Sequence, residues 1–177
     1  MNKRPAIFLD RDGTLIEEVN FLSRVEDLRV FDFTFEALRS LKNSGFALVV
    51  TTNQSGIGRG LYSKDDMQAI HREIDVRLDG MIDGYYFCPH LPTDGCLCRK
   101  PGTAMIEKAC DELGLAIEGS WMVGDKRLDI ETAFAAKLRS AMVLTGYGLQ
   151  HQLLLEQKPD IIAEDLGHAA RSILAMN

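Results

Sequence analysis

Short runs of apolar residues recur along the chain and predict β-strands. Six runs stand out, at 6–9, 46–51, 84–87, 121–123, 140–144 and 161–162. Each run is two to six residues long and is bounded by polar or glycine-containing segments, which is typical of buried strands.

Between these runs, apolar residues return at helical spacing. Phe35, Leu38 and Leu41 lead to Gly45, and further helical patterns are centred near residues 70, 110, 133 and 170. Ser63 and Asp66 have the form of a capping box at the start of one of these helices. The alternation predicts an α/β fold: a single three-layer, Rossmann-like domain over 1–177 with a mostly parallel sheet and helices on both faces.

Composition narrows the class of protein. The 177 residues suit one domain with an ordinary apolar core, and a net charge of −6 argues against nucleic-acid binding, which depends on neutralising many phosphates. The apolar run at 6–9 is too short for a signal peptide or a membrane span. We therefore expect a cytoplasmic monomer with a small-molecule substrate.

Polar residues follow four of the predicted strands. They are Asp10 to Thr14, Thr51 to Ser55, Arg99 with Lys100, and Gly124 with Asp125. In open α/β sheets the ligand lies beyond the carboxyl ends of the strands, so these segments are expected to converge on one site.

Asp10 and Asp12 are two residues apart, so in an extended segment their side chains leave the same side of the backbone. One carboxylate could attack a phosphate monoester while the other handles a proton. The charge repulsion of that attack calls for a divalent cation, and Mg²⁺ prefers oxygen ligands such as these carboxylates and Asp125. Thr52 and Lys100 could supply donors to the phosphoryl oxygens.

Cys88, His90, Cys96 and Cys98 lie within eleven residues. Three thiolates and one imidazole form a tetrahedral zinc set with no open position, which predicts a structural zinc stapling the loop 88–98. A Cys96–Cys98 disulfide, or free thiols beside an exposed His90, are the alternatives. A zinc-bound loop would fix Arg99 and Lys100 at the rim of the site.

The ordered segments Asp-Arg-Asp-Gly-Thr-Leu, Thr-Asn-Gln-Ser-Gly, Arg-Lys-Pro and Gly-Asp-Lys-x-x-Asp resemble the four motifs of the haloacid dehalogenase superfamily of phosphatases. The resemblance implies that Asp10 is the nucleophile of an aspartyl-phosphate mechanism and that Asp12 is the general acid and then base. It also implies Mg²⁺ on Asp10, the Asp12 backbone carbonyl and Asp125. Asp129 is expected to be a supporting residue that orients Lys100 or a metal-bound water, or a carboxylate in the first turn of a helix, where the helix dipole favours it. The gaps between motifs leave room for only a minimal cap.

The cysteine loop is similar to that of a narrower group, the heptose bisphosphate and histidinol phosphatases. The Thr52–Gly60 segment favours the heptose branch, which implies removal of the 7-phosphate of D-glycero-D-manno-heptose 1,7-bisphosphate in ADP-heptose, lipopolysaccharide core or related glycan synthesis. The implied contacts to the sugar phosphate are Glu18, Val19, Asn20, Phe21, Thr52, Asn53, Gln54, Ser55, Arg99, Lys100 and Lys126.

Two other functions stay open on the sequence. The short spacing between His90 and Cys96 is also similar to the histidinol phosphatases, which implies histidinol phosphate as the substrate. A phosphate-accepting signalling module would also carry an aspartate at a strand end. Such a module does not need a second acid at Asp12, whereas a hydrolase must protonate a leaving group and activate water.

Overall fold

The computed structural model describes residues 3–176. Met1, Asn2 and Asn177, which the predicted domain 1–177 includes, lie outside the described residues. Within the described part the fold is α/β, as predicted, and its strands form one six-stranded sheet.

The strands are β1 (Arg4–Leu9), β2 (Ala47–Asn53), β3 (Gly84–Cys88), β4 (Leu115–Gly124), β5 (Arg139–Val143) and β6 (Ile161–Ala163). Their order in the sheet is β3-β2-β1-β4-β5-β6, and every neighbouring pair is parallel. The order reverses at β1, between β2 and β4, and this switch point is where α/β sheets bind ligands.

The helices are α1 (Thr34–Asn43), α2 (Ser55–Gly58), α3 (Lys64–Arg77), α4 (Ala104–Leu113), α5 (Arg127–Ala135), α6 (Gly148–His151) and α7 (Leu166–Ala175). The capping box at Ser63 is confirmed: Ser63 Oγ accepts the Asp66 N–H at 3.1 Å, and the Asp66 carboxylate accepts the Ser63 N–H at 2.8 Å. None of the helices in residues 3–176 is both long and apolar enough to cross a bilayer.

Both faces of the sheet are buried, because alternate residues of each strand pack on opposite sides. Ile7 and Leu9 of β1 belong to a core that includes apolar residues of α1, α3 and α7. Ala6 and Phe8 belong to a second core with residues of α4 and α5. The three layers expected from the sequence are therefore confirmed.

The main difference from the sequence prediction concerns β4. The apolar run predicted a strand at 121–123, but β4 begins at Leu115, where it pairs with Arg4 before the register shifts between Pro5 and Ile7. Glu118 and Gly119, which are both exposed, interrupt the apolar pattern there, so the earlier half was not recognised.

Two long connections frame the carboxyl ends of the central strands. Residues 10–33, between β1 and α1, contain a 3₁₀ turn at Val25–Asp27 in place of a separate cap layer. Residues 89–103, between β3 and α4, carry most of the cysteine loop. The minimal cap expected from the sequence leaves a site bounded by these two connections.

Candidate active site

Asp10 is the first residue after β1 and is held at the switch point of the sheet. Its backbone N–H donates to the Val123 carbonyl of β4 at 2.9 Å, and the residue is 3% exposed. The ammonium of Lys100 donates to Asp10 Oδ1 at 2.8 Å and to Asp129 Oδ1 at 2.5 Å. A buried lysine therefore bridges the two carboxylates.

The side chain of Asn53 fixes the backbone of Lys100. Asn53 Oδ1 accepts the Lys100 N–H at 3.0 Å, and Asn53 Nδ2 donates to the Lys100 carbonyl at 3.3 Å. The Lys100 ammonium also donates to the Thr51 carbonyl at 2.9 Å. Residues at the end of β2 thus hold both the backbone and the ammonium of Lys100. This role of Asn53 was not foreseen from the sequence.

The opposite charges of Asp10 and Lys100 shift each other's pKa. Burial acts to raise the pKa of Asp10, but the charges of Lys100 and Lys126 outweigh it and leave that pKa below its ordinary value. Burial acts to lower the pKa of Lys100, and the carboxylates of Asp10 and Asp129 raise it above its ordinary value. Both effects favour an ionised Asp10, the form that can act as a nucleophile.

The surroundings of the Asp125 carboxylate suit a divalent cation. Its Oδ2 accepts the Tyr147 N–H at 2.8 Å, while its buried Oδ1 has no hydrogen-bond partner among the described residues. Burial raises the pKa of Asp125 to about 8, against the opposing charge of Lys126, and the nearby Asp10 and Asp129 carboxylates add to the rise. Oxygens of these three carboxylates lie within 4.8 Å of one another. A buried carboxylate oxygen that has no hydrogen bond and lies 3.8 Å from the Lys126 ammonium is suited to a divalent cation.

Gly13 permits the close approach of Asp125. A Cβ at this position would lie 2.3 Å from Asp125 Oδ2, and the backbone φ of +83° is one that residues with side chains rarely adopt. The Asp-x-Asp-Gly pattern therefore reflects packing around Asp125 as well as a turn.

Asp12 is held by side chains on both sides. The Arg11 guanidinium donates to both Asp12 oxygens, at 2.9 and 3.0 Å, and Gln54 Nε2 donates to Asp12 Oδ2 at 2.9 Å. Gln54 Nε2 also donates to Thr52 Oγ1 at 2.9 Å. The Tyr62 hydroxyl donates to Gln54 Oε1 at 2.5 Å.

A cleft of about 210 Å³ opens beside these carboxylates. Asp12 and Lys126 line it together with most of the predicted contact segments: Glu18, Val19, Asn20, Phe21, Asn53, Gln54 and Ser55. Lys126 Nζ bonds Glu18 Oε2 at 3.0 Å and lies 3.8 Å from Asp10 Oδ2. A smaller, more enclosed pocket is lined by Asp10, Asp12, Thr52, Asn53, Lys100, Lys126, Leu128 and Asp129.

Arg99 is placed differently from the other predicted contacts. It does not line either of these two pockets, and its guanidinium donates to the His90 carbonyl at 3.5 Å. The structure therefore brings the predicted residues together except for Arg99, which braces the cysteine loop.

The four predicted zinc ligands face one another. Cys88 Sγ lies 3.5 Å from His90 Nδ1 and 3.5 Å from Cys96 Sγ; Cys98 Sγ lies 3.2 Å from His90 Nδ1 and 3.7 Å from Cys96 Sγ. Tetrahedral zinc with bonds of about 2.3 Å places its sulfur ligands about 3.8 Å apart, so the spacing fits. All four cysteines, including Cys110, are free, and the Cys96 and Cys98 sulfurs are too far apart for a disulfide.

Sequence reasoning missed Arg11 and Tyr62 and left Asp129 undecided. Arg11 was hidden because an arginine between two aspartates reads as a surface residue, yet it is 1% exposed. Tyr62 lies in a polar loop before α3 with no motif to mark it. Asp129 takes both expected roles, because it bonds Lys100 and also accepts the Lys126 N–H at 2.9 Å at the start of α5.

Comparison with known families and curated proteins finds a hydrolase family model and several phosphatases. The chain matches the HAD-hydrolase-like family model over residues 97–169. It is 37% identical to a D-glycero-D-manno-heptose-1,7-bisphosphate 7-phosphatase of Thermosynechococcus vestitus, with 96% of this chain and 95% of that protein covered. It is 40% identical to D-glycero-beta-D-manno-heptose-1,7-bisphosphate 7-phosphatase of Escherichia coli K12, over 80% of each chain.

Solved structures of similar fold include two phosphatases of the same kind. The crystal structure of D,D-heptose 1,7-bisphosphate phosphatase from B. bronchiseptica, complexed with magnesium and phosphate, matches with a TM-score of 0.90 at 29% identity, covering 98% of this chain and 99% of that one. The corresponding phosphatase of Burkholderia thailandensis matches with a TM-score of 0.73 at 25% identity, covering 97% and 99%.

Replacing Asp129 tests the bridge through Lys100. Asp129→Asn keeps the shape of the side chain but removes the charge that orients the Lys100 ammonium, so we expect kcat for phosphate release to fall at least about tenfold. Glu131→Gln, on the same helix but paired with Arg127 away from the cleft, is the matched control and should keep kcat. Equal kcat values for the two variants would contradict the bridging role.

Proposed function

Because this chain belongs to the haloacid dehalogenase-like phosphatases, in the branch of the heptose-1,7-bisphosphate 7-phosphatases, we propose that it removes the 7-phosphate from D-glycero-D-manno-heptose 1,7-bisphosphate. Within the family, the observation that carries the proposal is the buried Asp10–Lys100–Asp129 bridge at the end of a cleft that also contains Asp12. The bridge keeps a carboxylate charged where a phosphate can reach it.

In the first step, Asp10 attacks phosphorus, the bond to the sugar oxygen breaks, and Asp12 gives that oxygen a proton. In the second step, Asp12 takes a proton from water as the water attacks the aspartyl-phosphate, which releases phosphate and regenerates Asp10. Lys100 and Thr52, which line the smaller pocket, hold the phosphoryl oxygens during both displacements.

Magnesium is the cation that the carboxylate group would hold. Asp10 and Asp125 would supply carboxylate oxygens and Asp12 would supply its backbone carbonyl, while both oxygens of Asp129 are committed to Lys100 and the Lys126 N–H. When bound, the ion offsets the negative charge of the transferring phosphoryl group. The buried Oδ1 of Asp125, which has no hydrogen bond, supports this assignment.

Recognition of the rest of the substrate falls to the cleft. Glu18, Val19, Asn20, Phe21, Asn53, Gln54 and Ser55 line it, and their contacts to the sugar are part of the proposal. Lys126 is the cation at its inner end, and a phosphate group would compete with Glu18 for it. Arg99 lies outside the residues that line the cleft, and its contact with a second phosphate is part of the proposal.

The cysteine loop is proposed to hold a structural zinc through Cys88, His90, Cys96 and Cys98, supported by ligand atoms that all lie within 4.8 Å of one another. The loop ends one residue before Arg99, so the metal would steady the segment that carries Lys100. A monomeric state, a cytoplasmic location and the absence of nucleic-acid partners stay predictions.

The relatives named above do not favour histidinol phosphate as the substrate or a signalling role. To test the substrate, phosphate release with Mg²⁺ is measured on the heptose 1,7-bisphosphate and on histidinol phosphate. We expect kcat/KM to be at least about 100-fold higher for the bisphosphate, since a mismatched ligand leaves buried polar groups unpaired. A preference for histidinol phosphate would contradict the substrate assignment but not the role of Asp10.

Asp10→Asn removes the nucleophile. We expect turnover to fall by a factor of about 10⁴ or more, while Tm changes little because the amide keeps the size of the side chain. Asp27→Asn, at an exposed position in the 3₁₀ turn, is the control and should retain full activity. Substantial turnover by the Asp10 variant would rule out the proposed mechanism.

Cys98→Ala tests the zinc loop. The variant should lose most of its zinc, measured by elemental analysis, and should melt at a lower temperature, because a closed zinc site contributes to folding stability. Cys110→Ala, in α4 outside the loop, should keep its zinc whatever its stability. Wild-type protein that is free of zinc at full stability would exclude a structural metal.

A further inference from the structure

The two oxygens of Asp12 have different surroundings. Oδ2 accepts two hydrogen bonds, from Arg11 Nε at 2.9 Å and from Gln54 Nε2 at 2.9 Å. Oδ1 accepts one, from Arg11 Nη2 at 3.0 Å. A carboxylate oxygen offers about two acceptor sites. Oδ2 is therefore saturated, whereas Oδ1 keeps one site free.

We propose that Arg11 is a positioning residue that turns Asp12 so that Oδ1 carries the catalytic proton and Oδ2 is the anchoring oxygen. This inference rests on the proposed phosphatase mechanism and assigns an atom to its proton transfers. In the first step the proton moves from Asp12 Oδ1 to the sugar oxygen as the P–O bond to the sugar breaks. In the second step a water proton returns to Oδ1 as the water oxygen bonds to phosphorus and Asp10 is released.

A contact with His71 holds the Arg11 guanidinium on the edge that does not face Asp12. It is fully enclosed, and its Nη1 lies 3.3 Å from His71 Nε2. Burial, together with the charge of Arg11, lowers the pKa of His71 to about 3, so the neutral imidazole can accept the Arg11 hydrogen. His71 in turn stacks on Tyr85, with ring centroids 4.6 Å apart. The guanidinium has partners on both edges and cannot swing away from Asp12 without losing them.

Gln54 is fixed in the one amide orientation that suits Asp12. Burial raises the pKa of Tyr62 to about 12, so its hydroxyl stays protonated and donates to Gln54 Oε1. The amide nitrogen must then face Asp12 Oδ2 and Thr52. The Tyr62 ring reaches this place because residue 56 is glycine: a Cβ there would lie 2.1 Å from the ring. The Asn-Gln-Ser-Gly segment thus helps to orient the proton carrier.

The two parallel N–H donors of a guanidinium explain why residue 11 is an arginine. A guanidinium bonds both oxygens of a carboxylate in one plane, whereas a lysine ammonium acts as a single point charge and leaves the carboxylate free to rotate. Arg11→Lys keeps the positive charge and removes the two-point contact that controls the orientation of Asp12.

The test compares two leaving groups. The alkoxide of the heptose 1,7-bisphosphate needs a proton from Asp12, whereas p-nitrophenolate leaves without one. The parameter kcat/KM reports steps up to formation of the aspartyl-phosphate. We expect Arg11→Lys to lower kcat/KM about 100-fold for the bisphosphate and less than about threefold for p-nitrophenyl phosphate, the size expected for general acid catalysis. Gln54→Ala should shift the ratio in the same direction by a smaller factor.

Arg77→Lys is the matched control, because Arg77 pairs with Glu73 on α3 away from the cleft and both rates should be kept. An equal fall for both substrates in the Arg11 variant would show a structural role and overturn the inference. If Arg11→Lys does not fold, an unchanged ratio in Gln54→Ala overturns it. Wild-type protein that releases phosphate from neither substrate would instead overturn the proposed function.

Discussion

The ammonium of Lys100 is the charge on which the rest of the site depends. Asp10, Asp125 and Asp129 place three buried carboxylates within 4.8 Å at the end of the sheet, and their mutual repulsion would be prohibitive without buried cations. Lys100 bridges two of them directly, and Lys126 lies 3.8 Å from Asp10 and from Asp125. Other features of the site follow from holding that ammonium in place, including the Asn53 clamp and the capping role of Asp129.

The sequence predicted the fold and much of the site because both depend on local patterns. The apolar runs of β1 and β2 are buried on both faces, so they stand out as continuous runs, and parallel pairing then brings their carboxyl ends together. Asp10, Thr52 and Asp125 could be placed at one edge for that reason alone. The start of β4 was missed because the exposed residues Glu118 and Gly119 separate it from the apolar run at 121–123.

The contacts of Arg11 and Tyr62 could not be read from the chain because no sequence motif marks either pair of residues. Arg11 meets His71, sixty positions away, and Tyr62 reaches Gln54 across the turn of α2. Gln54 and Asn53 were expected to face the substrate, and they do line the cleft, but their amides also hold Asp12 and Lys100. Residue type and spacing indicate the chemistry of such a site; which oxygen each donor faces depends on packing.

The central claim, that Asp10 becomes phosphorylated during turnover, is tested most directly by trapping the intermediate. Enzyme in excess over the heptose 1,7-bisphosphate is quenched in acid within one turnover, and the protein-bound phosphoryl group is mapped by peptide mass spectrometry. The account predicts a phosphoryl group on Asp10 that decays as phosphate appears. Turnover without any protein-bound phosphate, or with phosphate on a different residue, would contradict it.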